Sequence, residues 1–147
     1  ALISKYAEEF LRRTEMRGTP TVLCVTDRAG AGAWNDIVQS SRGQVLVIGV
    51  GRRFAQMMGK HMRAIIAHEV GHVVQGDLDQ CIGRLGNLEL CELEVNRIAI
   101  GWVGKSAMIN ALKEAIRANE WESQHQPIAY SGTGELKRQL LLIEQMP

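Results

Sequence analysis

The sequence predicts an α+β fold: an N-terminal helix, a small twisted sheet of about three strands, then helices to the end of the chain. Three observations predict it. Apolar residues recur at helical spacing at the start and again after Gly51. Between those segments lie two glycine-bounded runs rich in β-branched residues, TVLCVTD from Thr21 and QVLVIGV from Gln44. No repeat, low-complexity tract or linker interrupts the 147 residues, and at 46% hydrophobic they suffice for one core, so a single domain spanning 1–147 is expected.

In order, LISKYAEEFLRRTEMRG places Leu2, Ile3, Tyr6, Phe10 and Leu11 at helical spacing, with Glu8 and Glu9 four residues before Arg12 and Arg13. Gly18 and Pro20 end that helix. The two β-branched runs are strands, and AGAWNDIVQS between them, introduced by DRAGAG, is a weaker third. From Lys60 to Gln75, Met62, Ile65, Ile66, Val70, Val73 and Val74 give a helix a broad apolar surface, and Gly76 stops it. LELCELEVNRIAIGW carries Leu88, Leu93, Ile98 and Ala99 in a second helical array, and more helix follows.

A formal net charge of +1 argues against a polyanionic partner, so neither nucleic acid nor an anionic membrane is expected. No run reaches the roughly 18 apolar residues of a spanning helix. ALISKYAEEF lacks the charged-then-apolar layout of a secretory signal. The expected setting is the cytoplasm or a soluble domain of a larger protein, whose flank could carry an anchor. Cys24, Cys81 and Cys91 are odd in number and unrelated in spacing, and are expected as buried thiols in a reducing compartment.

The chemistry concentrates in AHEVGH, Ala67 to His72. Side chains four apart on a helix lie about 40° from one another, so the imidazoles of His68 and His72 can converge on one ion. Glu69 falls just to the side, within reach of a water on that ion without being a ligand. In a mostly apolar helix three such groups are costly to desolvate, and a metal satisfies them together. A catalytic zinc normally takes three protein ligands, and Glu92 on the second helix can complete the set. Asn96 shares the face of Glu92, where its side-chain carbonyl could accept the free ring N–H of a ligand histidine. Glu94 is rotated about 200° from Glu92 and should point elsewhere.

MRAIIAHEVGHVVQGD and ELEVNRIA resemble the soluble catalytic core of gluzincin metallopeptidases, specifically that shared by the HtpX heat-shock protease, the CAAX prenyl proteases and the short minigluzincins. The resemblance runs from about Val22 to the last helix. GQVLVIGVGRRFAQMM matches the strand and short helix that lead into the H-E-x-x-H helix, and SGTGELKRQLLLIE echoes the final segment weakly, through Arg138. The chain departs from that pattern at Asn96, where aspartate is preferred and asparagine should polarise the histidine less. It departs again at GAWND, in place of an asparagine followed by small residues. Asn96 is also a feature of the ImmA/IrrE-like metallopeptidases, the nearest alternative.

The resemblance implies a zinc-dependent endopeptidase: zinc on His68, His72 and Glu92, and Glu69 as general base towards a peptide or protein substrate. A substrate strand would lie along a sheet edge, for which Ala33, Trp34 and Asn35 are the candidate rim. His125 and Tyr130, in WESQHQPIAYSG, are candidates for oxyanion support or the cleft wall. His61 is better read as packing than as a ligand, and Met57, Met58 and Met62 as adaptable core. Gly71 costs a helix about 1 kcal/mol relative to alanine, which suggests close approach of a neighbouring element. The other function classes are a catalytically silent, zinc-stapled protein-binding module and, with no basic stripe behind it, a nucleic-acid factor. Oligomeric state is left open.

Overall fold

The computed structural model describes residues 2–16, 18–26, 32–125 and 133–147, and these form the expected α+β arrangement. Helix α1 (Leu2–Leu11) precedes strands β1 (Thr21–Thr26), β2 (Ala33–Ser40) and β3 (Gly43–Gly51). Then follow α2 (Arg52–Met57), a 3-10 turn (Gly59–His61), α3 (Met62–Gln75), α4 (Leu78–Leu85), α5 (Leu88–Val103), α6 (Lys105–His125) and α7 (Thr133–Glu144). The helix expected from Lys60 thus starts at Met62, with the turn leading into it.

The sheet has the order β1-β3-β2. β3 pairs in parallel with β1, Thr21 opposite Leu46, and antiparallel with β2, Trp34 opposite Gly49 and Asn35 opposite Ile48. Strand residues alternate between faces, so Leu46, Ile48 and Val50, all fully buried, share the helix-covered face with Asn35. Trp34 faces the other way and is 41% exposed. Its indole occupies the space a side chain on Gly49 would need, so the glycine in QVLVIGV is required by its cross-strand neighbour.

The helices pack on the buried face. Ala7, Phe10 and Leu11 of α1 join Ile66, Ala67 and Val70 of α3 in the core, Phe10 stacks on Trp102, and the ion pair of Glu9 with Arg63 ties α1 to α3. Met58 and Met62 are buried, as adaptable core residues should be. Gly76 (φ 85°) ends α3. Asp77 then caps α4 and Asn87 caps α5 through their side-chain oxygens.

The expectation for the cysteines is corrected. Cys81 and Cys91 form a disulfide, and Cys24 is exposed. The turn at Gly86 folds α4 back on α5 and brings the two Cα atoms to 6.1 Å, within bridging range. A spacing of ten residues announces no pairing until both helices and the turn are in place. Among the described residues no helix is long and apolar enough to cross a membrane.

Candidate metal centre

The site is built where α3 crosses α5. Down α3 the residues facing α5 are His68, Gly71, His72 and Gln75, and they meet, in order, Asn96, Val95, Glu92 and Cys91, so the two helices run in opposite directions. Gly71 makes the approach possible: a Cβ there would lie 3.1 Å from Val95 Cγ1 and 3.2 Å from the Val95 carbonyl oxygen. This is the close neighbour that a glycine inside a helix suggested.

The seam brings together one ligand atom each from His68, His72 and Glu92, all half-buried. His68 Nε2 is 3.0 Å from His72 Nε2 and 3.3 Å from Glu92 Oε2, and His72 Nε2 is 3.5 Å from Glu92 Oε1. Ligands about 2.0–2.1 Å from a tetrahedral zinc stand about 3.3–3.4 Å from one another, so the three separations bracket what such an ion needs. Two imidazole lone pairs this close also require something positive between them. A proton or a divalent cation answers, and the group is a candidate metal site.

The electrostatics agree. Burial opposes a charged His68, but its hydrogen bond to Glu92 and the charges of Glu69 and Glu92 raise its pKa to about 9. His72, desolvated and beside a charged His68, lies below the usual histidine value. Glu92 loses solvation too, yet the hydrogen bond and charge of His68 hold it below the ordinary carboxylate value. Without a metal, the cluster therefore keeps a proton on one ring.

Asn96, almost fully buried, places Oδ1 2.8 Å from His68 Nδ1, the ring nitrogen turned away from the cluster. Glu69, on the turn of α3 between the two histidines, is buried and accepts a 2.7 Å hydrogen bond at Oε2 from Asn35 Nδ2 on β2. All these groups except Asn96 line a cleft of about 540 Å³, with Ala33 and Trp34 on the strand side and Phe54, Ile65, Met108 and Leu112 as apolar wall. Trp34 borders the cleft from the edge strand, but its indole lies over Gly49 on the outer face of the sheet, 41% exposed and outside the core.

Other sequence candidates lie elsewhere. His125 is exposed at the end of α6, stacked on Trp121 with Nδ1 donating to the Trp121 carbonyl at 2.7 Å, and does not line the cleft. His61 sits half-buried in the 3-10 turn, also off the cleft. Tyr130 lies outside the described residues. Arg138 is exposed and faces Glu89 at 3.4 Å. Two contacts escaped the sequence reading: the grip of Asn35 on Glu69, and Gln139, which is 3% exposed and accepts from Asn96 Nδ2 at 3.1 Å. Each joins residues more than thirty positions apart, for which local periodicity carries no signal. No family model, curated protein or solved structure matches the chain.

Proposed function

We propose that the chain is a zinc-dependent endopeptidase of the gluzincin type, similar in its catalytic core to the HtpX and CAAX prenyl proteases, acting on peptide bonds of proteins or peptides. The observation that carries this reading is the joint geometry of four groups: two imidazoles and a carboxylate spaced for one ion, with Glu69 beside them in the same cleft. A zinc held by His68, His72 and Glu92 would supply Lewis acidity, lowering the pKa of a water and polarising a scissile carbonyl.

The remaining work falls to the chain. Glu69 takes the proton of the attacking water and returns one to the leaving amine. Asn35 donates to Oε2 of Glu69 and so holds the carboxylate in the cleft for that exchange. Ala33, Trp34 and Asn35 belong to β2, at the edge of the sheet, where an extended substrate can add as a strand. Phe54, Ile65, Met108 and Leu112 favour an apolar substrate side chain against the cleft wall.

A second reading, a zinc-stapled module without turnover, is favoured by one observation. Asn96 offers His68 a neutral acceptor rather than a carboxylate, which polarises the ring less. Metal content and cleavage of an unstructured protein such as casein, measured for the native chain and for Glu69→Gln, separate the two. The peptidase reading expects about one zinc per chain in both, with cleavage lost in the variant. Equal cleavage by the two proteins removes Glu69 as base, and zinc without cleavage in either favours the module.

A further inference from the structure

Asparagine and glutamine amides have two ends of nearly the same shape and opposite hydrogen-bonding character. Which end of Asn96 meets His68 therefore decides the state of the ring. With Oδ1 towards it, His68 Nδ1 must carry a hydrogen, so Nε2, the atom facing His72 and Glu92, is the nitrogen that can exchange its proton for a metal. With Nδ2 towards it, the hydrogen moves to Nε2, and a protonated Nε2 cannot bind a metal. Something must hold the amide in the first orientation, since Asn96 is 1% exposed and water cannot arbitrate.

We propose that Gln139 of α7 is a positioning residue for the candidate metal site, fixing the orientation of the Asn96 amide and through it the metal-ready tautomer of His68. The chain of contacts begins at a group with no ambiguity. The backbone carbonyl of Glu89 can only accept, so the end of Gln139 that lies 3.1 Å from it is Nε2. That turns Gln139 Oε1 to Asn96, which must answer with Nδ2, at 3.1 Å, and is left with Oδ1 for His68, at 2.8 Å. Reversing any link sets two acceptors or two donors against each other at hydrogen-bond distance, at sites 3% and 1% exposed. Glu89, Glu92 and Asn96 lie along one stripe of α5, so Gln139 spans two turns of the helix that supplies the carboxylate ligand. The last helix of the fold thereby sets the protonation pattern of a ring on α3 without touching it.

This inference rests on the reading of His68, His72 and Glu92 as a metal site, and a double-mutant cycle on the full chain tests both. Zinc affinity is measured by chelator competition for the native chain, Gln139→Leu, Asn96→Asp and the double variant, with apo melting temperatures alongside. Gln139→Leu is expected to weaken zinc about 10- to 100-fold, the range for losing a partner behind a ligand histidine. Aspartate presents acceptors at both ends and needs no orienting, so in the Asn96→Asp background the same change should cost less than about twofold or tighten binding, as it removes an acceptor facing the carboxylate. Equal weakening in both backgrounds makes Gln139 a merely structural residue and overturns the proposal, as does undiminished affinity in Gln139→Leu. A native chain that binds no zinc fails differently, taking down the metal reading and this inference with it.

Discussion

On α5, Glu92 and Glu94 stand two residues apart, and the helix turns them towards different regions of the molecule. Glu94 meets the surface cluster of α4: Arg84 grips both its oxygens, at 2.8 and 2.9 Å, and Gln75 donates to it at 3.3 Å. A hydrogen bond from a permanent cation lowers its pKa, and nothing further is required. Glu92 meets two imidazoles instead, whose charge depends on what they bind. The chain supplies the balancing positive charge on one side and leaves it to a proton or an ion on the other. That difference, rather than the presence of a glutamate, separates a surface ion pair from a candidate site.

The comparison breaks most severely at Glu92. Glu92→Ala leaves two imidazoles, one ligand short of a usual catalytic zinc site, and zinc should no longer withstand a chelator that the native protein tolerates. Zinc retained at native affinity would remove Glu92 from the ligand set.

Variation of pH sharpens the contrast without a mutation. The pKa of His68 is raised from 6.5 to about 9, so the folded chain holds this proton more tightly than the unfolded one. Its stabilising contribution is complete below about pH 6.5 and is lost as pH rises through about 9. Zinc must displace the same proton, so its apparent affinity should climb about tenfold per pH unit across that window and level off above it. The apo melting temperature should fall over the same range. A flat affinity profile between pH 6.5 and 9 would show that no proton competes for the site.

A third change acts on the seam alone. Gly71→Ala gains about 1 kcal/mol of helix propensity. Its Cβ, however, meets Val95 at 3.1–3.2 Å, one contact being backbone that cannot swing aside, and overpacking of this kind costs about 1–3 kcal/mol. The expected net result is destabilisation of about 1 kcal/mol in chemical unfolding, with weaker zinc binding because Glu92 and Asn96 move away with α5. A variant as stable as the native protein would mean that the helices have room to spare.

What was legible beforehand follows the range of the signal. Helical period placed His68 beside His72 and Glu92 on the face of Asn96, β-branched runs marked β1 and β3, and the cost of Gly71 announced a close neighbour. These are local patterns, repeated every two or four residues. The disulfide, the hold of Asn35 on Glu69 and the place of Gln139 depend on how finished elements dock. Asn35 illustrates the limit: it was expected at the rim of the cleft, but only the register that sets it opposite Ile48 turns it inward to α3.

The smallest effect is expected on the other side of the comparison. Glu94→Ala removes both contacts to Arg84 and the weaker one to Gln75, but Gln75 keeps its 2.7 Å hydrogen bond to the Cys91 carbonyl, and Arg84 is solvated enough to recover in water what it loses. Stability and zinc affinity should therefore match the native values within error, in urea unfolding and in chelator competition. If instead zinc weakens, the two glutamates are coupled through α5, and the surface cluster must be holding the helix in register against α3. The same competition assay on Arg84→Ala would then reproduce the loss, because either partner alone dissolves the pair.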